Sequence, residues 1–235
     1  MKILSIDTSG QQATAAIIDD NITISEILLN ARTGENSWTH SEILMPGIDS
    51  MINLTGITKS SIDYIAYTSG PGSFTGLRIG ASTALGLARG LNKPVIPVPT
   101  LSALAYNIPQ GIVMPMMDAR RSQVYFAIYN NGKLLTEYLA ATIKEAVQVL
   151  ESTTNTQGEI FVLGDCADAN KEEILINIPN AVFVKQNLNR VRGSSVGLWA
   201  YENLDKAQNP SDNIDIMYIR APQAIRDKEA ALTHD

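Results

Sequence analysis

Apolar and polar positions follow the same pattern in two separate stretches of this chain. IDTSGQQATAAIIDDN, starting at Ile6, and MDARRSQVYFAIYNNG, starting at Met117, align without a gap, so that Asp7 falls on Asp118, Gln12 on Gln123, Ala16 on Ala127 and Ile17 on Ile128. In each copy an apolar run ends in Asp, a short polar turn follows, and an alternating strand leads into an Asx-rich second turn. That is the pattern of a β-hairpin and the start of a third strand. Downstream, the first copy predicts a strand over 22–29, a helix over 39–54, a strand over 62–68, a glycine-rich turn, a helix of small residues over 76–91 and a strand over 94–98. The second predicts a strand near 134–139, a helix over 143–150, a strand over 160–163, a turn at Gly164-Asp165, a helix near 169–175, a strand over 181–184 and a helix over 195–204.

Each half therefore reads as βββαβαβα. Three antiparallel strands extended by two parallel ones, with helices packed on the sheet, form the ribonuclease-H-like arrangement. Two in tandem make the actin/sugar-kinase/Hsp70-like (ASKHA) architecture, an α/β fold. A Rossmann fold would open with βαβ instead. The expected division is a first ribonuclease-H-like domain over 1–106 that carries partner-binding helices, and a second over 107–220 whose last helix could pack back on the first. A polar tail follows over 221–235.

Two helices of the first half have chemistry of their own. THSE offers a capping box, with Thr39 as N-cap and Glu42 three residues on, and Leu44, Ile48, Met51 and Ile52 then form one apolar stripe, with Pro46 early in the helix. In YTSGPGSFTGLRIGASTALGLARG, from Tyr67 to Gly90, Gly76 and Gly80 stack on one helical face, and Ser82, Gly86 and Gly90 on another. Each glycine inside a helix costs about 1 kcal/mol relative to alanine, and close packing of a partner helix would offset that. The simpler reading is that both stripes cover the sheet. If the helices lie side by side, they could instead supply half of a four-helix contact with another subunit, through Thr39, His40, Leu44, Ile48, Met51, Gly76, Leu77, Gly80, Thr83, Ala84 and Leu87. On that reading a bulky residue at Gly80 blocks the partner and leaves the monomer folded. The turn Gly70-Pro71-Gly72-Ser73-Phe74-Thr75-Gly76 could cradle a phosphate on backbone N–H groups or be a tight strand-to-helix turn. No Lys-Ser/Thr pair follows, so it is not a Walker loop.

Composition narrows the function. At 235 residues and 45% hydrophobic the chain can bury a substantial core. A net charge of −6 and a pI near 5.0 disfavour autonomous binding to a nucleic-acid backbone, so a polynucleotide would be held by a partner. The single cysteine, Cys166, excludes an internal disulfide and a multi-cysteine zinc site and fits a reducing, cytoplasmic setting. Asp7 interrupts the first apolar run and no segment approaches the length of a membrane span, so neither signal peptide nor membrane helix is expected.

The segments ILSIDTSGQQATAAI, HSEILMPGI, TSGPGSFTGLRIGASTALGLARGL, PVIPVPTLSALA, DARRSQVYFAIY and the YIR at Tyr218 to Arg220 closely resemble, in the same order, the bacterial TsaB (YeaZ) family of tRNA threonylcarbamoyladenosine biosynthesis proteins. The resemblance runs from residue 1 to about 220, and SGPGSFTGLRIG is its most specific part. It implies the tandem ribonuclease-H-like fold and a role as non-catalytic paralogue of TsaD. TsaD transfers a threonylcarbamoyl group from its adenylate to N6 of the adenosine beside the anticodon, in tRNAs reading codons that start with A. The implied partners are TsaD, paired through the first-half helices, and the ATPase TsaE, with tRNA met indirectly and a homodimer formed in isolation through the same surface. A separate enzyme makes the adenylate. The resemblance implies no intrinsic cofactor and leaves open a nucleotide at the partner interface. The chain departs from the family at Gln123, commonly Glu, and at Ile216, often Pro.

An autonomous nucleotide-hydrolysing or peptidase-like enzyme of the same superfamily is the alternative. The catalytic relatives carry a metal-binding HxxxH motif, and the matching positions here are Thr100 and Leu104, neither a metal ligand. The only histidines are His40 and His234, so no two-histidine metal site is available. Ser41 adjoins His40, but neighbours on a helix point about 100° apart and no third orienting group is evident. Cys166 reads as a small buried filler or as a thiol at a helix start. A residual nucleotide site would use Asp7, Thr8, Ser9, Gly70, Gly72, Asp118 and Arg120, whereas the bland reading makes the aspartates caps of hairpin turns. Arg120 and Arg121 could meet a phosphate, a partner carboxylate or Asp118 itself.

Overall fold

The computed structural model describes residues 1–30, 38–210 and 215–219. Arg220, His234 and the expected tail over 221–235 lie outside the described residues. The alternation of the first hairpin sorts its side chains to two faces, as a period of two requires. Leu4 and Ile6 of β1 (Lys2–Asp7) join Ala13, Ala15 and Ile17 of β2 (Gln12–Asp19) in one core, while Ile3, Ala16 and Ile18 enter another. β2 pairs antiparallel with β3 (Ile22–Asn30), and β1 pairs parallel with β4 (Tyr64–Gly70), which carries β5 (Val95–Pro99). The sheet order is β3-β2-β1-β4-β5. Two long connections, α1 (His40–Thr55) and α2 (Phe74–Leu91), cover its outer face, and α3 (Thr100–Ala105) leads into the second half.

The second sheet repeats this plan. β6 (Ile112–Arg120) pairs antiparallel with β7 (Gln123–Phe126) and parallel with β11 (Ile160–Leu163); β10 (Leu139–Ala141) and β12 (Ala181–Phe183) complete the order β10-β7-β6-β11-β12. Each sheet thus has three antiparallel strands extended by two parallel ones, the tandem ribonuclease-H-like, ASKHA-type α/β fold. α4 (Ile143–Thr153), α5 (Asp165–Ala169) and α6 (Lys171–Asn177) join the second sheet in its own core. Between the sheets, α3 and α7 (Gly193–Glu202) fill a central core with Ile96, Leu101, Leu104, Val113, Leu163 and Val196.

Two expected elements are broken. The strand expected near 134–139 is split into β9 (Lys133–Leu134), which pairs with the short β8 (Tyr129–Asn130), and β10, which pairs with β7. Between them, the Leu135 N–H donates to the Ile128 carbonyl at 2.8 Å, after which the Thr136 hydroxyl accepts the Ile128 N–H at 3.1 Å and the Tyr138 hydroxyl meets Ser102 at 2.7 Å, so side-chain bonds interrupt the ladder. The helix expected near 169–175 is two short helices broken at Asn170, whose amide turns back to the Cys166 carbonyl at 2.9 Å.

Caps and close contacts fix the helices. Thr39 and Glu42 form the expected capping box, with the Thr39 N–H donating to Glu42 Oε2 at 2.7 Å. Although α7 follows the second sheet in the chain, it packs on the first. Ser5 Oγ donates to the Gly193 carbonyl at 2.6 Å, and the Gly193 N–H donates to Thr14 Oγ1 at 3.0 Å. Glu26 on β3 accepts the Ser194 N–H at 2.9 Å and hydroxyl at 2.8 Å and pairs with Arg192. α2 is seated just as closely. A Cβ at Gly76 would run into the Thr8 carbonyl, and one at Gly80 would lie 2.5 Å from Thr8 Oγ1, which itself donates to the Gly76 carbonyl at 2.7 Å. The close neighbour of this glycine pair is therefore the end of β1, not a helix of another subunit, and the expectation that Gly80 can be enlarged without harm to the monomer is wrong.

Both contacts can be tested on the isolated chain. Gly80→Trp is expected to lower its stability by about 3 kcal/mol or more, read from the urea unfolding midpoint; an unchanged midpoint contradicts the seat on β1. At Glu26 burial raises the carboxyl pKa, but Arg192 and Ser194 outweigh it and hold the group below its ordinary 4.5. Its stabilisation is therefore complete above the unfolded value and is lost as pH falls below about 4.5 through the folded one. Glu26→Gln should cost about 1–3 kcal/mol at pH 7 and flatten the acid slope of stability, measured by urea titrations at pH 7 and pH 4.

Candidate functional site

Two regions gather the expected functional residues. The first is the outer face of α1 and α2. Leu44, Ile48, Met51, Gly76, Leu77, Gly80 and Ala84, expected at a subunit interface, are buried within the chain itself, because their stripes are the ones that cover the sheet. Thr39 is exposed, and His40, Thr83 and Leu87 are half-buried. The residues that face outward on α2 are instead Arg78, Ser82, Gly86, Arg89 and Gly90. Among the described residues, a Cβ at Gly86 or Gly90 would meet nothing within 4 Å. Large exposed apolar side chains lie on or beside the same helices: Trp38, Met45, Leu54 and Phe74. The Arg78 guanidinium lies 4.0 Å from the Phe74 ring centroid, and Tyr218 meets that ring with centroids 5.8 Å apart.

The glycine-rich turn lies at one end of this face, and its glycines make close contacts. Gly70, at φ 117, packs under the Met217 carbonyl, and Met217 donates its N–H to Ser69 at 2.6 Å. A Cβ on Gly72 would lie 2.7 Å from the Ser9 carbonyl, to which the Ser73 N–H donates at 2.7 Å. Ser73 caps α2 by accepting the Gly76 N–H at 3.2 Å. The turn's contacts are thus made within the chain, and Gly70, Gly72 and Thr8 serve the joint between β4, α2 and β1. These contacts fit the tight strand-to-helix reading.

The second region is a cleft between the β1–β2 turn and the β11–α5 turn, a cavity of about 230 Å³. Asp7 and Ser9 line it, but Asp118 and Arg120 do not. Those two pair with each other at the β6–β7 turn, with Arg120 Nη1 3.2 Å from Asp118 Oδ2 and the Arg120 N–H donating to Asp118 Oδ1 at 2.7 Å. Arg120, Arg121 and Ser122 form that turn with φ values of 64, 54 and 55°. Asp7 is 2% exposed and receives the Thr68 hydroxyl at 2.6 Å and the Ser9 N–H at 3.0 Å, both on Oδ1. Burial pushes its carboxyl pKa up against these bonds. Composition and motif reading did not find Asp165, Asp168, Gln12, Asn189 and Arg190, which also line it. The one available signal was Asp165, in the Gly164-Asp165 turn at the end of a predicted strand.

The residues weighed and set aside as catalytic candidates are placed as follows. Thr100 and Leu104 are buried on α3. His40 Nε2 is buried without a hydrogen-bond partner among the described residues. Ser41 Oγ lies 2.9 Å from Thr39 Oγ1 in the helix cap. The Cys166 thiol is pushed up to about 12, first by burial and then by the charge of Asp165, so it is an inert filler at neutral pH. Among the described residues no group of three His, Cys, Asp or Glu is placed to hold a metal ion, and no helix is long and apolar enough to cross a membrane.

Comparison with known proteins adds identity to this geometry. Residues 23–200 match the family described as TsaD, tRNA N6-adenosine threonylcarbamoyltransferase. The tRNA threonylcarbamoyladenosine biosynthesis protein TsaB of Escherichia coli strain K12 is 33% identical over 171 residues, 70% of this chain and 71% of that protein. The protein of the same name from Bacillus subtilis strain 168 is 36% identical over 138 residues, 57% of this chain. The chain spans 58% of the length of that relative and of its Haemophilus influenzae counterpart. In fold, the chain is similar to a solved Pseudomonas aeruginosa protein described as having similarity to peptidase YEAZ, with a TM-score of 0.75 at 22% identity, covering 93% of this chain and 99% of that one. The chain belongs to the family that the TsaD model describes and, within it, to the TsaB proteins of tRNA threonylcarbamoyladenosine biosynthesis.

Proposed function

We propose that this chain is a non-catalytic scaffold and activator in the cytoplasmic transfer of a threonylcarbamoyl group to N6 of the adenosine beside the anticodon. It pairs with the transferase TsaD through the outer face of α1 and α2, and TsaE joins the larger assembly. The observation that carries this reading is the outward stripe of α2. Gly86 and Gly90 each cost the helix about 1 kcal/mol relative to alanine, and among the described residues nothing lies near enough to need their small size. A closely packed partner helix supplies the missing reason. Exposed Phe74, Tyr218 and Arg78 beside the stripe are residue types that anchor interfaces. The net charge of −6 supports contact with tRNA through the complex rather than directly. In the absence of TsaD the same face serves a homodimer, so self-association and pairing compete. Activation then follows from preferential binding to the productive state of TsaD.

Gly86→Trp separates the interface from the fold. The isolated variant should keep its stability within about 1 kcal/mol, since the new side chain points into open space and leaving glycine favours the helix. Its affinity for TsaD should fall by more than about tenfold, and threonylcarbamoyl transfer reconstituted with TsaD, TsaE and the adenylate-forming enzyme should fall with it. Normal pairing by the variant rules out this face as the interface. Modification that proceeds equally well without the chain rules out the subunit role.

A further inference from the structure

The cleft presents two kinds of wall. Among the described residues its polar side carries three carboxyls, Asp7, Asp165 and Asp168, against a single cation, Arg190. That cation is engaged: Arg190 Nε donates to the Gln12 side-chain carbonyl at 2.9 Å with the Gln12 amide turned to accept it. Leu104, Met117 and Val191 supply an apolar wall beside them. Ser9, 1% exposed, lines the same cavity. Its hydroxyl lies near enough to Asp7 to favour that carboxylate, but makes no well-aligned hydrogen bond among the described residues. A buried hydroxyl in that state is costly, and a ligand that supplied the missing bond would relieve it.

We propose that this cleft binds a short aliphatic ammonium compound, with the charged head among Asp7, Asp165 and Ser9 and the carbon stem against Leu104, Met117 and Val191. The chemistry selects against the other small ligands. A phosphate would enter a lining with an excess of negative charge, which repels it. A hard divalent cation needs a set of converging oxygen ligands, and no group of three His, Cys, Asp or Glu is so placed among the described residues. An ammonium head carries three donors and no acceptor, which matches carboxylates and a free hydroxyl. Its alkyl stem buries on apolar surface while the head stays with polar groups. A cavity of about 230 Å³ is smaller than the usual drug-sized site and suits a molecule of only a few carbon atoms.

Titration of the full chain with n-butylamine, followed by backbone amide NMR, tests the proposal independently of any role in tRNA modification. The expected result is saturable shifts at residues 7–12 and 164–168, with n-butanol, the same stem without the charge, binding at least about tenfold more weakly. Asp165→Asn should weaken n-butylamine by about tenfold or more. Should that variant fail to fold, Gln11→Lys decides the matter, since position 11 is exposed on the cavity rim and a tethered ammonium there should abolish the shifts. Equal binding of n-butanol, undiminished binding to Gln11→Lys, or shifts of the same residues by AMP or magnesium but not by n-butylamine each overturn the proposal. So does the absence of any shift with n-butylamine.

Discussion

The contact between Thr8 and the face of α2 that bears Gly76 and Gly80 sets the geometry of everything around it. A strand end and a helix can approach this closely only where the helix has no Cβ. The hydrogen bond from Thr8 Oγ1 to the Gly76 carbonyl occupies the space such an atom would need. From this seat, the Ser73 N–H reaches the Ser9 carbonyl and Thr68 reaches Asp7. The turn at the end of β1 is therefore fixed by three elements at once, and Asp7 and Ser9 are held at the cleft by the same joint that aims the opposite face of α2 at solvent. The two glycine sets of α2 do different work. Gly76 and Gly80 recover their conformational cost in packing against the end of β1, whereas Gly86 and Gly90 meet no such neighbour among the described residues.

The second constraint is α7, which leaves the second sheet and closes on the first. Serine, threonine and glutamate side chains from three strands of the first sheet, Ser5, Thr14 and Glu26, hold its N-terminus. The segment that leads into it is held as well. Asn107 donates to the Leu188 and Arg190 carbonyls at 2.8 and 2.7 Å and accepts the Ser195 hydroxyl at 2.6 Å. Asn189 accepts the Gly164 N–H and donates to Asp168, both at 2.5 Å. This network brings residues from both halves to one cleft and fixes their distance, so Asp7 and Asp165 share a cavity although far apart in the chain.

Most of the fold was legible because it rests on local rules. The repeat of apolar run, Asp, polar turn and alternating strand marks both sheets, and the box formed by Thr39 and Glu42 marks the start of α1 within one residue. The second hairpin's extension was misread where Thr136 and Tyr138 interrupt a strand ladder with side-chain bonds, since pattern alone does not show where a hydroxyl will find its partner. The site was less legible. Spacing shows which residues of a helix share a face but not where that face points. On α2 the answer lay in the neighbours: Leu77, Ala81, Ala84, Leu85 and Ala88 extend the Gly76 and Gly80 stripe and mark it as inward, while Arg78 and Arg89 flank the outward one. The cleft lining was legible only at Asp7 and Ser9, because the rest comes from turns brought together by the α7 crossing.

A glycine-rich turn ahead of a helix is ambiguous between two physical purposes, and the close contacts here support packing. A phosphate cradle needs backbone N–H groups left free to point at a ligand. In this turn the Ser73 and Gly76 N–H groups are already given to Ser9 and to the Ser73 hydroxyl, and the space above Gly70 and Gly72 is filled by Met217 and Ser9. The cleft beside it is lined by Asp7, Asp165 and Asp168, and because burial raises the carboxyl pKa of Asp7 and Asp165, a positive charge bound there would favour their ionised forms. In this chain the glycines of the turn serve packing, and the cleft is lined by carboxyls.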